Sequence, residues 1–504
     1  MTPMEAEIRD QLGDWNSNGR PLYAALADGL ERLVRRGTLA PTTRLPSERR
    51  LAELLAVSRG TVVAAYEALR ERGLVAARQG SGTVVSDSAS PFSGPREAHL
   101  ATALAGGSIF RGLLELEARD GLLDFRSACW IGSDDLPEDI FDLDGTMLAS
   151  LRRSHGIFPA GIPELRAAIA EHLSARGLAS RPEQVVVTAG AQQAIALLGQ
   201  LFLARGDVAL VEDLTYPGAI EAFAAAEAQV VGAPLGPAGV DLDALDRMVT
   251  QLRPRLVFLI PSANNPTGVT MPAMARQRLA ELAARWETVV IDNEALAETW
   301  LDEPFPAPVA AFGAFGAAGS GSTRPATAGQ VLTVGSLSKP AWGGLRIGWV
   351  HGPEATMARL ARFRTSQDLA TSALSQLVAI NVVRRLDEVT SRRRAEHRHR
   401  WQVVRDALAR ELPEWSFQAP SGGHFLWVRL ADGSSLDFAQ VAARAGVGIA
   451  TGTLFSPRRA YNNHLRLPFG HPPEVLAEGV RRLAAAWREY RSALDRYDQV
   501  DLLL

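Results

Sequence analysis

The chain of 504 residues has 53 basic side chains besides histidine, and only one of them is a lysine, Lys339. Burial and neighbouring groups can make a lysine amine nucleophilic, and the amine can then form an imine with an aldehyde. A guanidinium stays protonated and cannot react in this way, although arginine replaces lysine at most solvated positions. Position 339 is therefore a candidate for covalent attachment of an aldehyde. The alternative is a lysine retained by chance in an arginine-rich chain.

The residues around this lysine suit an aldehyde that also carries a phosphate. In GSLSKPAWGGLRIGW, Ser336 lies three residues before Lys339 and Arg346 lies seven residues after it. A hydroxyl and a guanidinium beside an imine-forming amine suit pyridoxal 5'-phosphate. Upstream, VVVTAGAQQAIALL predicts a strand, a small-residue turn and a helix, and the backbone N–H groups of Ala191 and Gln192 at the helix start would bind an anion. Such a turn by itself is more often only the beginning of a helix.

Two polar residues follow other predicted strands. Asn265 in PSANNPTG comes after LVFLI and could hydrogen-bond the phenolate oxygen of the cofactor ring. Asp292 ends TVVID, and a carboxylate there could keep the pyridine nitrogen protonated, which makes the ring an electron sink. An aspartate at a strand end is otherwise commonly a cap or turn residue. In an open α/β sheet, however, ligands bind at the carboxyl ends of the strands, and all of these elements fall there.

From about residue 122 onward, short β-branched segments alternate with helical stretches rich in Ala, Leu and Arg. This alternation predicts an α/β domain with a mainly parallel sheet flanked by helices. The predicted strands are 184–188, 208–212, 256–260, 288–292 and 331–335. A stretch rich in Pro, Gly, Ala and Ser at 304–329 is predicted to be a long surface insertion in this domain.

The N-terminal part of the chain has a different charge. Residues 20–85 contain eleven arginines and six acidic residues, a net charge of +5, whereas the whole chain carries -3. A small basic module is a candidate for nucleic-acid binding. The alternative is a solvated basic face without a partner.

Three helices and a hairpin are predicted within this basic segment. The first helix ends near Gly37, the second is capped by Ser47, and the third is capped by Ser58 and stops at Gly73. LVAARQGSGTVV then predicts two strands around a Gly-containing turn. Two short helices joined by a few residues and followed by such a wing predict a winged helix-turn-helix that binds double-stranded DNA.

Candidate DNA contacts follow from the geometry of that module. The start of the third helix must face base edges in the major groove, the preceding arginines would lie near the phosphate backbone, and the wing tip would lie near the minor groove. The candidates are Ser58, Arg59 and Thr61 for the bases, Arg44 and Arg49 for the phosphates, and Gln79 and Gly80 in the wing. Taken singly, each is more commonly a surface arginine or a helix cap.

Residues 44–74 resemble the winged helix-turn-helix of the GntR regulator superfamily. They match its pattern RLPSxRxLAxxxxVSRxTVxxAYxxLxxxGL almost without a break. One departure is Gly60, where many relatives carry a side chain that could touch DNA.

The order AGAQQ, Asn265, Asp292, Lys339 resembles the fold type I pyridoxal phosphate enzymes, the aspartate aminotransferase-like group, over most of residues 122–490. The resemblance implies that Lys339 forms a Schiff base with the cofactor, that Asp292 pairs with the ring nitrogen and that Asn265 contacts the ring oxygen. It also implies that Ser336 and Arg346 hold the phosphate and that Tyr216 packs on the ring. Arg466 would bind the carboxylate of a substrate. The alternatives are ordinary packing for Tyr216 and a surface salt bridge for Arg466.

Two departures from the aminotransferase pattern bear on turnover. Family members commonly carry a tyrosine two or three residues after the ring aspartate, where this chain has Glu294 and Ala295. A tyrosine that reaches the partner subunit's site is often expected within 154–166, where this chain offers only His155 and Gly156. Both departures would alter how the cofactor is tuned while leaving its attachment possible, and they favour a site that binds and senses over one that turns over fast.

A GntR-type winged helix fused to an aminotransferase-like domain is the architecture of the MocR/GabR subfamily of bacterial regulators, which this chain resembles over nearly its full length. The predicted organisation is a winged helix-turn-helix at 18–86, a linker at 87–121 and a pyridoxal phosphate-binding domain at 122–504 with a smaller C-terminal α+β subdomain. The resemblance also implies a homodimer, typically head-to-tail, with two DNA-binding modules.

The resulting hypothesis is a pyridoxal phosphate-dependent transcription regulator in which an amine or amino-acid effector, or the cofactor itself, changes operator binding. The alternatives are a working aminotransferase with an appended DNA-binding module, and a regulator whose large domain only dimerises. A cytoplasmic location is expected because the chain has one cysteine, Cys129, no secretory signal and no apolar run of about 18 residues. Neither a metal site nor a membrane interaction is expected.

Overall fold

The computed structural model describes residues 8–9, 11–12, 15, 21–35, 39, 43–78, 82–86, 122–130, 136–313 and 330–503. The predicted linker at 87–121 and the wing residues Gln79 and Gly80 lie outside these ranges. The helices are α1 (Leu22–Arg35), α2 (Glu48–Leu55), α3 (Arg59–Glu71), α4 (Gly145–Leu151), α5 (Pro163–Ala175), α6 (Ala191–Phe202), α7 (Pro217–Ala225), α8 (Leu242–Leu252), α9 (Ala273–Arg285), α10 (Glu354–Arg364), α11 (Ala373–Arg384), α12 (Leu386–Glu411), α13 (Ser435–Arg444) and α14 (Pro473–Leu503).

The strands form one large sheet, one smaller sheet and two hairpins. They are β1 (Val75–Arg78), β2 (Gly82–Val85), β3 (Leu123–Phe125), β4 (Val185–Thr188), β5 (Val208–Glu212), β6 (Gln229–Ala233), β7 (Leu235–Gly236), β8 (Gly239–Val240), β9 (Leu256–Leu259), β10 (Val289–Asn293), β11 (Val331–Ser336), β12 (Gly348–His351), β13 (Ser416–Phe417), β14 (Phe425–Arg429), β15 (Val447–Thr451) and β16 (His464–Pro468).

The N-terminal elements form the predicted winged helix-turn-helix, which is confirmed. Ser47 Oγ accepts a hydrogen bond from Arg50 N at the start of α2, and Ser58 caps α3 in the same way. Between the two helices, Ala56 adopts a left-handed conformation with φ of 54° and turns the chain. Both α1 and α2 pack on α3, and the antiparallel hairpin β1–β2 follows. Tyr66 of α3 is buried and donates to Pro46 O at 2.8 Å, which ties this helix to the segment before α2.

The large sheet has the order β4-β12-β11-β10-β9-β5-β6. All neighbouring strands are parallel except β12, which runs antiparallel to both β4 and β11. Helices cover both faces, and β4, β9 and β10 are buried along their whole lengths because each face of these strands meets a packed layer. The predicted mainly parallel α/β sheet is therefore confirmed, and the five predicted strands agree with the observed ones to within one residue at each end.

Side chains along the central strands alternate between two apolar clusters. On β10, Val290 packs in the cluster that includes α5, α8, α9 and α11, whereas Val289 and Ile291 pack in the cluster that includes α6, α7 and α10. This alternation follows from the pleat of a strand, in which successive side chains point to opposite faces. The face that carries α6 is the one on which the cavity described below is found.

The smaller sheet has the order β13-β14-β16-β15-β3 and packs against α12, α13 and α14 in a separate apolar cluster. Its strands are antiparallel except for β3, which pairs parallel to β15. The predicted C-terminal α+β subdomain is present. It also includes β3, the first strand after the predicted linker. The pairing of β3 with β15 brings residues 126–130 to the edge of the large sheet.

The predicted surface insertion at 304–329 is only partly described, and its first part is not a surface loop. Val309 and Ala310 are buried in the core beneath α9. Their apolar side chains pack between α9 and β11, so these two residues belong to the core of the domain, whereas Pro304 at the start of the segment is exposed. Residues 314–329 lie outside the described ranges. Across the described residues, the structure shows no helix with the length and apolar character needed to cross a membrane.

Candidate cofactor site and DNA-binding surface

A cavity of about 650 Å³ lies at the carboxyl ends of the large sheet. The strands β4, β5, β9, β10 and β11 all end at this edge, so the segments that follow them are brought together. The predicted site residues that line the cavity are Ala191, Gln192, Tyr216, Asn265, Ser336, Lys339, Arg346 and Arg466. Asp292 is not among the lining residues.

Lys339 follows β11 and is half-buried. Its Nζ donates to Ala128 O at 2.6 Å and to Cys129 Sγ at 3.4 Å. The ammonium of Lys339 lowers the pKa of the Cys129 thiol, although burial of the thiol acts in the opposite direction. This proximity could not be predicted from the sequence, because Cys129 lies 210 residues before the lysine and no local pattern connects them.

The residues predicted to bind an anion, Ala191 and Gln192, begin α6 and line the cavity. The first N–H groups of a helix have no acceptor within the helix and carry the positive end of its dipole. Arg346 stands beside this helix start, because its Nη2 donates to Ala189 O at 2.7 Å. Ser336 is the last residue of β11 and also lines the cavity. The buried Oγ of Ser338, two residues further on, has no hydrogen-bond partner among the described residues. Ser338, which was not predicted as a site residue, adds a second hydroxyl to the lining of the cavity.

Two glycines allow the close backbone approach at this helix start. Gly190 has φ of 95° and precedes α6, and Gly348 begins β12 opposite it. A Cβ atom at Gly348 would lie 2.7 Å from Gly190 C and 2.7 Å from Gly335 O, so only glycine fits.

Arg466 lines the cavity and is buried, with 8% of its surface exposed. It donates to Asn265 Oδ1 at 3.1 Å and to Arg126 O, while its Nε has no partner among the described residues. The rings of Phe425 and Phe455 lie 5.4 and 4.9 Å from the guanidinium carbon. Burial lowers the pKa of Arg466 to about 10, which leaves it cationic at neutral pH. Burial and the absence of an acidic partner among the described residues exclude the surface salt bridge that was the alternative.

A third guanidinium, which the sequence did not predict, opens onto the same cavity. Arg126 is 7% exposed and follows β3 directly. Its Nε donates to Asp124 Oδ1 at 2.6 Å, but its buried Nη1 has no partner among the described residues. Nearby, burial raises the pKa of Tyr216 to about 12, so its hydroxyl remains protonated beside the cavity.

The structure corrects the assignment of Asp292. This residue lies on the face of β10 that points away from the cavity, where Oδ2 accepts from Val309 N at 2.8 Å and Oδ1 has no partner among the described residues. Burial, with a contribution from Glu294, raises the pKa of Asp292 to about 8. Asn293 is the β10 residue that lines the cavity, because adjacent strand residues face opposite sides. The strand continues one residue beyond its predicted end, and that residue occupies the position expected of Asp292.

The residues found where the family commonly has tyrosines are Glu294 and Ala295 after β10, and His155 before α5. Glu294 is buried and lies 3.0 Å from both Arg176 and Arg276, on the same face of the strand as Asp292. Ala295 lines the cavity with a methyl group. His155 is exposed, and its Nδ1 accepts from Ile157 N at 3.0 Å.

Among the described residues, no group of three or more His, Cys, Asp or Glu side chains is arranged to hold a metal ion.

The described DNA-contact candidates lie on the exposed side of the winged helix-turn-helix. Arg49 is 87% exposed, and Arg44 is exposed and bridges to Val84 beside the wing. Arg59 is exposed and lies 2.9 Å from Glu48 Oε2, which links the start of α3 to α2. Ser58 and Thr61 share a hydrogen bond of 2.8 Å between their hydroxyls, so the same side chains that cap the helix present oxygen atoms at its start.

Comparison with known proteins identifies both parts of the chain. The family described as aminotransferase class I and II matches residues 146–483, and bacterial regulatory proteins of the gntR family match residues 22–85. A 2-aminoadipate transaminase of Thermus thermophilus is 32% identical over 75% of this chain and 93% of its own length.

Similar proteins also include an HTH-type transcriptional regulator that matches nearly the whole chain. The HTH-type transcriptional regulator TauR of Rhodobacter capsulatus is 28% identical over 92% of this chain and 97% of its own length. Among solved structures, LysN, an alpha-aminoadipate aminotransferase from Thermus thermophilus, matches with a TM-score of 0.67 at 30% identity, covering 77% of this chain and 96% of that one. That structure holds N-(5'-phosphopyridoxyl)-L-leucine.

Proposed function

The chain belongs to the aminotransferase class I and II family and joins to it a gntR-family DNA-binding domain, as the MocR-type regulators do, and we propose that pyridoxal 5'-phosphate at Lys339 sets its affinity for operator DNA. The observation that carries this proposal is the position of the sole lysine. It opens onto a cavity that is also lined by the start of α6, where an anion could bind, and by the buried guanidinium of Arg466.

The lining residues fit the cofactor. The start of α6, Ser336, Ser338 and Arg346 would hold its phosphate. Lys339 would bind the aldehyde carbon, Tyr216 would border the ring and Asn265 would meet the ring oxygen. The unpaired Ser338 hydroxyl and the close approach of Gly190 to Gly348 both suit a phosphate that receives hydrogen bonds from backbone and side chains. When bound, the cofactor supplies an aldehyde carbon that can exchange Lys339 for the amine of a ligand.

The effector that suits this cavity is an amine that carries a carboxylate. Arg466 Nε and Arg126 Nη1 are buried without partners among the described residues, and unsatisfied buried donors are unfavourable. A carboxylate would satisfy Arg466 by a bidentate pair, which is the strong form of this interaction. The cavity therefore favours amino acids over simple amines.

Lys339 also offers a route from the cavity toward the DNA-binding domain. Its amine donates to Ala128 O at 2.6 Å, and Ala128 follows β3, which begins two residues after the predicted linker ends. Because an unprotonated imine nitrogen has no hydrogen to donate, attachment of the cofactor would remove this bond. A change in the segment that leads to the linker would then bias the DNA-binding modules, by a coupling of about 1–3 kcal/mol as is typical between sites.

Two further features complete the proposal. A head-to-tail homodimer would present two DNA-binding modules to paired half-sites, since closed symmetric dimers are the commonest oligomers and the aminotransferase fold is typically dimeric. A DNA target and a chain with a single cysteine both favour a cytoplasmic location.

The test compares operator binding by the wild type and Lys339→Ala, with and without added cofactor, on a duplex selected by the wild type from random sequences. We expect the cofactor to change wild-type affinity several-fold and to leave Lys339→Ala unchanged. Lys339→Arg is the matched control, because it keeps the positive charge and a hydrogen-bond donor but cannot form the imine. An equal response to the cofactor in all three proteins would overturn the proposal.

A further inference from the structure

Asn293 lies where the β10 strand reaches the cavity. In the parallel pairing of β10 with β11, Asn293 lies opposite Val334, and Val334 is two residues before Ser336. Asn293 is 5% exposed and lines the cavity together with Ala295, which is two residues further on and therefore on the same face. The side chain that meets the interior of the site from β10 is thus a neutral amide.

We infer that this chain faces the pyridine nitrogen of its cofactor with the amide of Asn293, so that the bound cofactor exchanges amines without driving their transamination. This inference depends on the proposed binding of the cofactor at Lys339. It rests on the orientation of one side chain and on the charge of the cavity wall.

The hydrogen bonding of Asn293 defines which end of the amide is available. Its Oδ1 accepts from Ala295 N at 3.2 Å, so the Nδ2 group remains as a donor. A donor suits an unprotonated ring nitrogen, which is an acceptor, and it cannot pair with a protonated one. A carboxylate at this position would do the opposite and hold the nitrogen protonated, as in enzymes that use the ring as an electron sink.

No carboxylate takes over this role among the described lining residues. They include the basic residues Arg126, Lys339, Arg346 and Arg466, and no aspartate or glutamate. This excess of positive charge further disfavours a proton on the ring nitrogen.

Asp292 cannot replace its neighbour by a local movement. The strand pairs with β9 and β11 on both sides, with Asp292 opposite Leu259 and Thr333. A shift of one residue would turn every side chain of β10 to the wrong face, including Val290 and Ile291 in their separate clusters. Asp292 is also held by Val309 N.

The chemistry that remains is amine exchange. The nitrogen of the effector forms the C=N bond to the aldehyde carbon as the bond to Lys339 Nζ breaks, and the protons released by the effector amine pass to Nζ. Nothing is oxidised or reduced. The Cα–H bond of the effector stays intact, because an unprotonated ring is a poor acceptor for the electron pair that its cleavage would release.

The direct test uses pyridoxal phosphate labelled with ¹⁵N in the ring, because the nitrogen chemical shift reports protonation of the bound cofactor without any turnover. We expect the wild type to show the unprotonated resonance between about pH 6 and 8. Asn293→Asp should move it to the protonated position, and Asp292→Asn, the matched change on the other face, should leave it in place. A second measurement mixes the loaded proteins with an amino acid and follows keto-acid release, which we expect to rise about tenfold or more in Asn293→Asp.

The outcomes separate the inference from the proposed function. Borohydride reduction and peptide mass analysis of the wild type first establish whether Lys339 carries the cofactor, and an unmodified lysine would overturn both. A loaded wild type with a protonated ring nitrogen would overturn the inference alone, and this measurement needs no variant to fold. An Asp292→Asn variant that alters the resonance as Asn293→Asp does would also overturn it.

Discussion

The amine of Lys339 and the thiol of Cys129 lie 3.4 Å apart inside the cavity, although 210 residues separate them in the chain. The position of β3 explains this contact. Because β3 pairs with the C-terminal β15, residues 126–130, which follow β3 and include Cys129, lie at the edge of the large sheet near Lys339. Since Cys129 is the only cysteine of the sequence, its reactivity reports the state of the lysine without interference from other thiols.

The first prediction concerns that reactivity in the protein without cofactor. The Lys339 ammonium lowers the pKa of the Cys129 thiol, and the thiolate is the reactive form. Lys339→Met should therefore raise the pH midpoint of alkylation by iodoacetamide and slow the reaction at pH 7. Lys339→Arg retains a cation and should keep a midpoint close to that of the wild type. Equal midpoints for Lys339→Met and the wild type would show that the charge of the lysine does not act on the thiol.

The DNA-binding module and the grouping of the candidate phosphate-binding residues around one cavity could be predicted from the sequence, because their determinants are local. Ser47 and Ser58 cap α2 and α3 as predicted, since a cap depends on residues within one turn of the helix. Ser336, Lys339 and Arg346 lie within one segment and are brought to one cavity by the end of a single strand.

Features that depend on long-range pairing could not be predicted in this way. The strand β10 is buried on both faces, so its apolar residues do not alternate with polar ones and give no indication of which face meets the site. The choice between Asp292 and Asn293 was therefore undetermined by the local pattern. The roles of Arg126 and Cys129 arise from the pairing of β3 with β15, more than 300 residues away in the chain.

The second prediction concerns the ion pair between Arg59 and Glu48 on the DNA-binding surface. The two side chains are 71% and 37% exposed, and a pair of this kind contributes at most about 1 kcal/mol. Glu48→Gln should release Arg59 and remove a negative charge from the surface, which we expect to strengthen operator binding by up to about fivefold. Arg59→Gln should weaken it. Binding of labelled duplex is measured by fluorescence anisotropy at several salt concentrations.

The matched control for this release is Glu71→Gln. Glu71 ends α3, at the opposite end from Arg59, and is exposed. Glu71→Gln removes one negative charge from the same DNA-binding module, but from α3, whereas Glu48 lies on α2. An equal gain in affinity from Glu71→Gln would therefore mean that net charge is responsible and that the ion pair has no specific role.

The third prediction concerns pH and the buried carboxyl of Glu212 at the end of β5. Burial raises its pKa to about 8, although Ile260 N and Asn264 Nδ2 each donate to Oε2 at 2.9 Å. In the unfolded chain this group ionises near its usual pKa, whereas in the fold it stays protonated up to about pH 8. The unfolded state therefore loses this proton first, and the stability contributed by Glu212 decreases as pH rises from about 4.5 to 8.

Glu212→Gln cannot ionise and should escape this decrease. The difference in unfolding free energy between variant and wild type should move in favour of the variant as pH rises, by up to about 1.4 kcal/mol per pH unit. Thermal unfolding of both proteins without cofactor, at pH values between about 5 and 8, gives the difference in Tm. A difference in Tm that stays constant over this range would contradict the raised pKa of Glu212.

The fourth prediction concerns the close backbone approach at the phosphate end of the cavity. In Gly348→Ala, the new methyl would lie 2.7 Å from the carbonyl carbon of Gly190 and from Gly335 O, and backbone atoms cannot move away as a flexible side chain could. We expect a loss of stability of about 1–3 kcal/mol and a displacement of the start of α6. The affinity for pyridoxal phosphate, measured by absorbance titration, should therefore fall more than the affinity for pyridoxal, which lacks the phosphate.

Gly343→Ala is the matched control, because Gly343 lines the same cavity but its added Cβ would be 4.0 Å from the nearest atom, Ser338 O. Equal losses of affinity for pyridoxal and pyridoxal phosphate in Gly348→Ala would mean that the contact between β12 and the turn before α6 does not shape the phosphate site.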